Sequence, residues 1–156
     1  FVARFPKLIR AGSRREQMAL SIDVAPTLLE LAGARAIGAP DSRSLAPVLR
    51  DPAGQSAKFQ TGCAEYYGSV AWYSQRVIWD GDWKFVWNGF DFDELYNLAE
   101  DPYEMRNLAA ERAHRGRLRR MATLAWRIAR ETGEGRFFSH YSYPTLRFAP
   151  FGPGIA

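Results

Sequence analysis

The spacing of apolar and polar positions changes period along this chain, and each change predicts a different element. Between residues 61 and 98 the apolar positions are largely aromatic or β-branched and fall in runs of strand length: 61–67, 74–79, 83–87 and 94–98. Turn residues separate them. Asp80-Gly81-Asp82 and Asn88-Gly89 are hairpin signals, because glycine adopts positive φ without strain. Period two in Trp83-Lys84-Phe85-Val86-Trp87 puts Trp83, Phe85 and Trp87 on one face, suited to cover by a helix. That helix is predicted over residues 109–131, where Leu118, Met121, Ala125 and Ile128 recur at three- and four-residue steps. Leu124 and Trp126 flank the stripe and Gly133 ends it. Together these elements predict a small four-stranded antiparallel sheet packed by a C-terminal helix.

The first third has another rhythm. Residues 1–10 suit a strand running into a bend at Pro6, followed by a loop at 11–13. Asp23 is placed to accept backbone N–H groups at a helix start, and Pro26 is tolerated in the first turn, where its missing donor costs little. Leu28, Leu29 and Leu31 then form the expected buried face, and Gly33 fits a C-terminal cap. Residues 34–43 read as loop, Ser44 as the cap of a short helix through Leu49, and Asp51-Pro52-Ala53-Gly54 as a break. The chain opens in mid-element with Phe1-Val2-Ala3-Arg4, which predicts a piece cut from a larger sheet. A helix at residues 28–31 would then leave an apolar face without cover, so the isolated piece is expected to be poorly stable and to self-associate. The expected organisation is 1–55, 56–135 and an aromatic, Pro/Gly-rich tail over 136–156.

Two stretches carry a family resemblance. Asp93-Glu94-Leu95-Tyr96-Asn97-Leu98, followed by Asp101-Pro102, Glu104 and Asn107-Leu108, resembles the D-E-L-Y-D-L-x-x-D-P-x-E-x-x-N-L-A signature near the carboxyl end of sulfatases. Ser21-Ile22-Asp23-Val24-Ala25-Pro26-Thr27-Leu28-Leu29-Glu30-Leu31-Ala32-Gly33 is similar to their S-x-D-x-x-P-T-L-L-x-L-A-G pattern. The segment 41–49 resembles D-G-x-S-L-x-P-x-L with Ser42 in place of Gly, and 1–6 resembles P-L-I-x-R-x-P with Lys7 in place of the Gly that follows. The resemblance runs over roughly residues 1–110 in family order. It implies a mixed α/β and α+β fold: the end of a large alkaline phosphatase-like α/β domain, then the small sheet with its helix.

What the resemblance implies chemically is sulfate ester hydrolysis. The family's nucleophile is a formylglycine made from a C/S-x-P-x-R motif, beside calcium or another divalent cation. Neither is expected from this chain. Cys63 sits in Gly62-Cys63-Ala64-Glu65-Tyr66 without the Pro and Arg, and reads as a strand cysteine. The acidic trio Asp91, Asp93 and Glu94 reads as turn and strand, although an oxygen-only metal site has that spacing. No catalytic or metal residue is therefore predicted, and the chain alone is expected to be inactive beside the missing N-terminal part of its parent. A phosphonate monoester or phosphodiester hydrolase of the same superfamily, or a noncatalytic interaction subdomain, are the alternative functions. In the family the loop after the first small-sheet strand approaches the active-site rim. The resemblance thus implies substrate contact by Tyr66, Tyr67 and Trp72, with Arg76 meeting an anionic group; packing is the competing role. His140, in the tail, is a candidate donor or proton carrier.

Composition narrows the remaining classes. With 47% hydrophobic and 24% charged residues the chain is ordinary for a globular protein, and no apolar run approaches the ~20 residues of a membrane span. A single cysteine excludes an intramolecular disulfide or a cysteine-rich zinc site. The net charge of +4 sits largely between Arg106 and Arg136. Seven arginines between Arg112 and Arg130 invite a phosphate-binding reading, but they are expected to point around much of the helix, with His114 a surface residue among them, and no nucleic-acid motif accompanies them.

Overall fold

Strand pairing follows the turn signals. The computed structural model describes residues 2–38, 41–51, 55–68, 75–88 and 91–133. Strands β1 (Thr61–Tyr66), β2 (Gln75–Asp80), β3 (Trp83–Asn88) and β4 (Glu94–Asn97) lie side by side in sequential order as a four-stranded sheet. β2 and β3 form a tight antiparallel hairpin with Asp80 opposite Trp83, its turn made possible by Gly81 at φ 58°. β4 continues the antiparallel order, with Phe85 opposite Leu95 and Trp83 opposite Asn97.

Residues directly opposite across strands share a face, so the register sorts the side chains. Arg76 with Trp87, and Ile78 with Phe85 and Leu95, stand on the face covered by helix α3 (Arg115–Glu131). The helix seats Leu118, Met121, Ala125 and Trp126 there, while Ala122 and Ala129 allow close approach. Trp87 and Trp126 meet edge-on with ring centroids 5.8 Å apart, the arrangement ring quadrupoles favour. The expected indole face of β3 is thus the core, with Trp83 at its margin. The buried stripe of α3 is turned slightly from expectation: Ala122, Trp126 and Ala129 are fully buried, whereas Leu124 and Ile128 are only partly so.

The helix also begins later than its periodicity predicts. Leu108 donates its N–H to the Leu95 carbonyl at 2.9 Å, which ties the chain to β4 and holds residues ahead of 112 out of helix. A 3-10 turn, Arg112–His114, then leads into α3 at Arg115.

The first unit, Phe1–Gly62, contains helices α1 (Val24–Leu31) and α2 (Ala46–Arg50). Several expectations change there. Residues 2–10 form no strand. Leu8 and Ile9 fold back onto the Phe5 carbonyl at 2.9 and 2.8 Å, and a strand needs a neighbouring strand to pair with. The leucines of α1 are not its buried face within this chain: Leu28 is 61% exposed, in line with the uncovered apolar face expected of the isolated piece, and the buried residue of α1 is Thr27. Asp23 works backwards and sideways instead of capping α1. Its completely buried carboxylate accepts N–H groups from Leu20 and Arg43, both at 3.0 Å.

Thr27 completes that clamp by donating to the Asp23 carbonyl and accepting the Leu45 N–H at 2.8 Å. The Asp-x-x-x-Thr spacing therefore fixes the 43–45 segment through main-chain hydrogen bonds, which explains the sequence pattern without any chemistry. Ser44 accepts the Ala46 N–H at 3.1 Å just ahead of α2, but the cap position falls on Leu45 and not on the expected Ser44. Gly33, at φ 65°, closes α1 while Ala34 donates to the Leu29 carbonyl.

Candidate functional site

Of the five residues singled out for substrate contact, Tyr66, Tyr67 and Arg76 lie among the described residues, while Trp72 and His140 lie outside them. β1 ends at Tyr66, and alternation puts Cys63 and Glu65 on the helix-covered face with Tyr66 on the opposite one. Arg76, next along that face in β2, has a side chain only 2% exposed. Its guanidinium carbon lies 4.6 Å from the Tyr67 ring centroid, its Nε is 3.7 Å from Glu65 Oε1, and its Nη1 donates to the Gln75 carbonyl at 2.8 Å. Tyr67 in turn donates its hydroxyl to Glu65 Oε2 at 2.9 Å.

The result is a three-membered cluster, Glu65–Tyr67–Arg76, with the cation at the bottom and the tyrosine on top. Burial lowers the Arg76 pKa, and Glu65 and Tyr67 oppose that shift, so a guanidinium still charged at neutral pH is held beneath an aromatic ring. Tyr66 and Tyr67 are 43% and 41% exposed, which makes them the accessible part of the cluster. Glu65 is the member that residue-by-residue reading passed over. Its signal was the i, i+2 spacing to Tyr67, which puts both on one side of an extended chain.

Cys63 lies one position further into the core. Burial, reinforced by the Glu65 carboxylate and opposed by Arg76, pushes its thiol up to about 11, the reverse of an activated nucleophile. Among the described residues no three His, Cys, Asp or Glu side chains gather where they could hold a metal ion.

The signature around Asp93 is resolved into structural roles. Asp93 Oδ1 accepts the Asn88 N–H at 3.2 Å, and Asn88 donates to the Phe92 carbonyl and to Glu94 Oε1. Glu94 also accepts the Tyr96 hydroxyl at 2.6 Å. Burial, with a contribution from Glu94, raises the Asp93 pKa to about 6 against the hydrogen bond from Asn88. Asp101 accepts the Arg106 N–H at 2.9 Å, and the N–H groups of Met105 and Arg106 hold its carboxyl below the usual range. Glu104 sits at φ 57°, a left-handed conformation uncommon for a residue with a side chain, and pairs with Lys84 at 2.5 Å. Asn107 accepts from Leu95 and Ala109 and donates to the Asp93 carbonyl. Every polar position of the signature holds a turn or the edge of β4.

His114 is half-buried and tilted against Trp83, with ring centroids 5.8 Å apart, so it is a packing residue more than a surface one. The guanidinium of Arg117 lies over the same indole, 4.8 Å from its centroid. The remaining arginines of α3 are exposed.

Comparison with known proteins fits this architecture. Residues 1–130 match the family model for the C-terminal region of N-sulphoglucosamine sulphohydrolase. An N-acetylglucosamine-6-O-sulfatase of Bacteroides thetaiotaomicron is 32% identical over 113 residues, covering 69% of this chain and 20% of that protein. A multifunctional alkaline phosphatase superfamily protein of Trinickia caryophylli is 30% identical over 148 residues, covering 84% of this chain and 28% of that one. Among solved structures, a complex with the substrate D-glucosamine-2-N,6-O-disulfate matches with a TM-score of 0.73 at 25% identity, over 84% of this chain and 28% of that chain. The chain thus spans between a fifth and a third of the length of these relatives. With the family model matched over residues 1–130, and with the sheet, helix and signature arranged as described, the chain belongs to the sulfatase family of the alkaline phosphatase-like superfamily and carries its C-terminal region.

Proposed function

We propose that this chain is the C-terminal part of an enzyme that hydrolyses sulfate esters on amino sugars, and that its own contribution is to shape one wall of the substrate site. The match of residues 1–130 to the sulphoglucosamine sulphohydrolase family carries this reading. The relatives support the sugar, since one is named for N-acetylglucosamine 6-O-sulfate and another is bound to a glucosamine disulfate. The formylglycine nucleophile and the divalent cation belong, in this reading, to the rest of the parent, and the 156 residues alone are inactive.

Within the chain, substrate contact comes from the exposed Tyr67 and Tyr66, together with Trp72 and His140. Arg76 fixes Tyr67 from below through its stacked guanidinium and keeps a positive charge beneath the ring, where it favours an anionic group bound nearby. The test is kinetic and uses the full-length protein. Tyr67→Ala is expected to raise KM for a glucosamine sulfate about 10-fold while leaving a small aryl sulfate nearly unaffected, as loss of one aromatic contact implies. Equal effects on both substrates would remove Tyr67 from the sugar site. Phosphonate ester hydrolysis without sulfate release would instead favour the second reading, which the superfamily protein of Trinickia caryophylli supports at the level of superfamily. Metal-dependent sulfate release by the purified 156 residues would overturn the assignment of the catalytic groups to the rest of the parent.

A further inference from the structure

The charge of this chain is concentrated on one element that the substrate site does not use. Helix α3 contains six arginines and one glutamate, a net of +5, whereas the whole chain carries +4. As expected, the six arginines of α3 spread over much of the helix, about 200° of its circumference at 100° per residue, but four of them share one side. Leu118, Met121, Ala122, Ala125, Trp126 and Ala129 consume one side against the sheet. At 100° per residue, Arg119, Arg120, Arg127 and Arg130 fall within an arc of about 100° on the other side, and they run along roughly 16 Å of helix. All four are exposed, and among the described residues no carboxylate pairs with them. By contrast Arg106, ahead of the helix, is paired with Glu111 at 2.8 Å.

An unneutralised row of guanidinium groups this long complements a linear polyanion far better than a single small ester. We propose that the arginine face of α3 is a secondary binding surface for a sulfated polysaccharide, separate from the Tyr67 cluster and serving to hold the polymer that carries the ester. The choice of a sulfated glycan over other polyanions rests on the proposed function; the surface itself rests on the geometry. Guanidinium groups form paired hydrogen bonds with oxyanions, so sulfate groups spaced along a chain meet the row one after another. Release of condensed counterions then supplies much of the affinity.

Four such contacts predict a steep salt dependence. With a slope of about −0.7 per contact for a single-stranded polyanion, binding weakens about 50-fold between 50 and 200 mM salt. The experiment measures binding of the full-length protein to dextran sulfate, unsulfated dextran and double-stranded DNA across that range, beside a variant carrying R119Q, R120Q, R127Q and R130Q. Glutamine keeps helix propensity, and circular dichroism checks that the helix survives. The expected result is salt-dependent binding of dextran sulfate, none of dextran, and loss of at least 10-fold in affinity and most of the salt slope in the variant. Unchanged binding in a folded variant, or no binding at 50 mM salt, overturns the proposal. Tighter binding of DNA than of dextran sulfate reassigns the face to nucleic acid and overturns it too. Sulfate release from a monosaccharide ester is followed in parallel. Its persistence alongside lost polymer binding separates failure of this surface from failure of the sulfatase reading.

Discussion

Asn107 offers the sharpest check on how the signature around β4 holds the fold. Its Oδ1 accepts the Leu95 N–H at 3.1 Å and the Ala109 N–H at 2.9 Å, and its Nδ2 donates to the Asp93 carbonyl at 3.0 Å. Leu95 is fully buried, so its N–H has no ready replacement for that acceptor. Three bonds at roughly 1 kcal/mol each, discounted for the exposed side of Asn107, give about 2–3 kcal/mol for Asn107→Ala. Asn107→Asp keeps both accepting roles but sets a carboxylate oxygen against the Asp93 carbonyl, so it should be destabilising as well. Asn97 serves as the comparison. Its side chain accepts the exposed Ala99 N–H at 3.3 Å, and its alanine variant should cost about 0.5 kcal/mol or less. Urea unfolding followed by tryptophan fluorescence reads all three, because Trp87 and Trp126 lie in the core beside β4. An Asn107→Ala variant within about 0.5 kcal/mol of the parent would refute the reasoning.

Three further outcomes follow from the same contacts. Truncation of Trp126, fully buried against Trp87, should cost about 3–5 kcal/mol by the same unfolding assay. The folded pKa of Asp93, raised to about 6, makes stability fall as pH rises from about 4 to about 6, because the unfolded chain releases this proton first and binds fewer protons in that window. Asp93→Asn keeps the acceptor for Asn88 and should flatten that part of the pH–stability profile; an unchanged slope would assign it to other groups. The Cys63 thiol, at about 11, should resist alkylation at pH 8 in the folded protein and react promptly in urea, which mass spectrometry resolves.

Much of the architecture was legible in the chain because it is set by neighbours close in sequence. The Asp80–Trp83 hairpin needs only a glycine with positive φ between two β-rich runs, and the face of Trp83, Phe85 and Trp87 needs only the period of an extended chain. Residues of the Asp93–Asn107 signature interact mainly with one another, so its order could identify the family before any contact was known. The chemistry of the substrate site was less legible. Tyr67 and Arg76 were named from the family's geometry. Their stacking, and the part of Glu65 in it, depend on which face of β1 and β2 each residue occupies.

The sequence by itself determined the strands, the turns, the existence of α3 and the membership of the family. Each of these follows from local periodicity or from a contiguous order of residues. Tertiary structure alone decided where α3 begins, because the Leu108 N–H is claimed by Leu95 across the turn. It decided that Thr27 and Asp23, not the leucines of α1, are buried in the first unit, because their polar atoms meet backbone groups some twenty residues away. It also decided what Arg119, Arg120, Arg127 and Arg130 present to solvent, since only the packing of Trp126, Ala122 and Ala129 fixes the rotation of the helix about its axis. A helix's periodicity states that it has an apolar side. What that side is pressed against, and therefore what the opposite side presents to solvent, is settled by contacts distant in sequence.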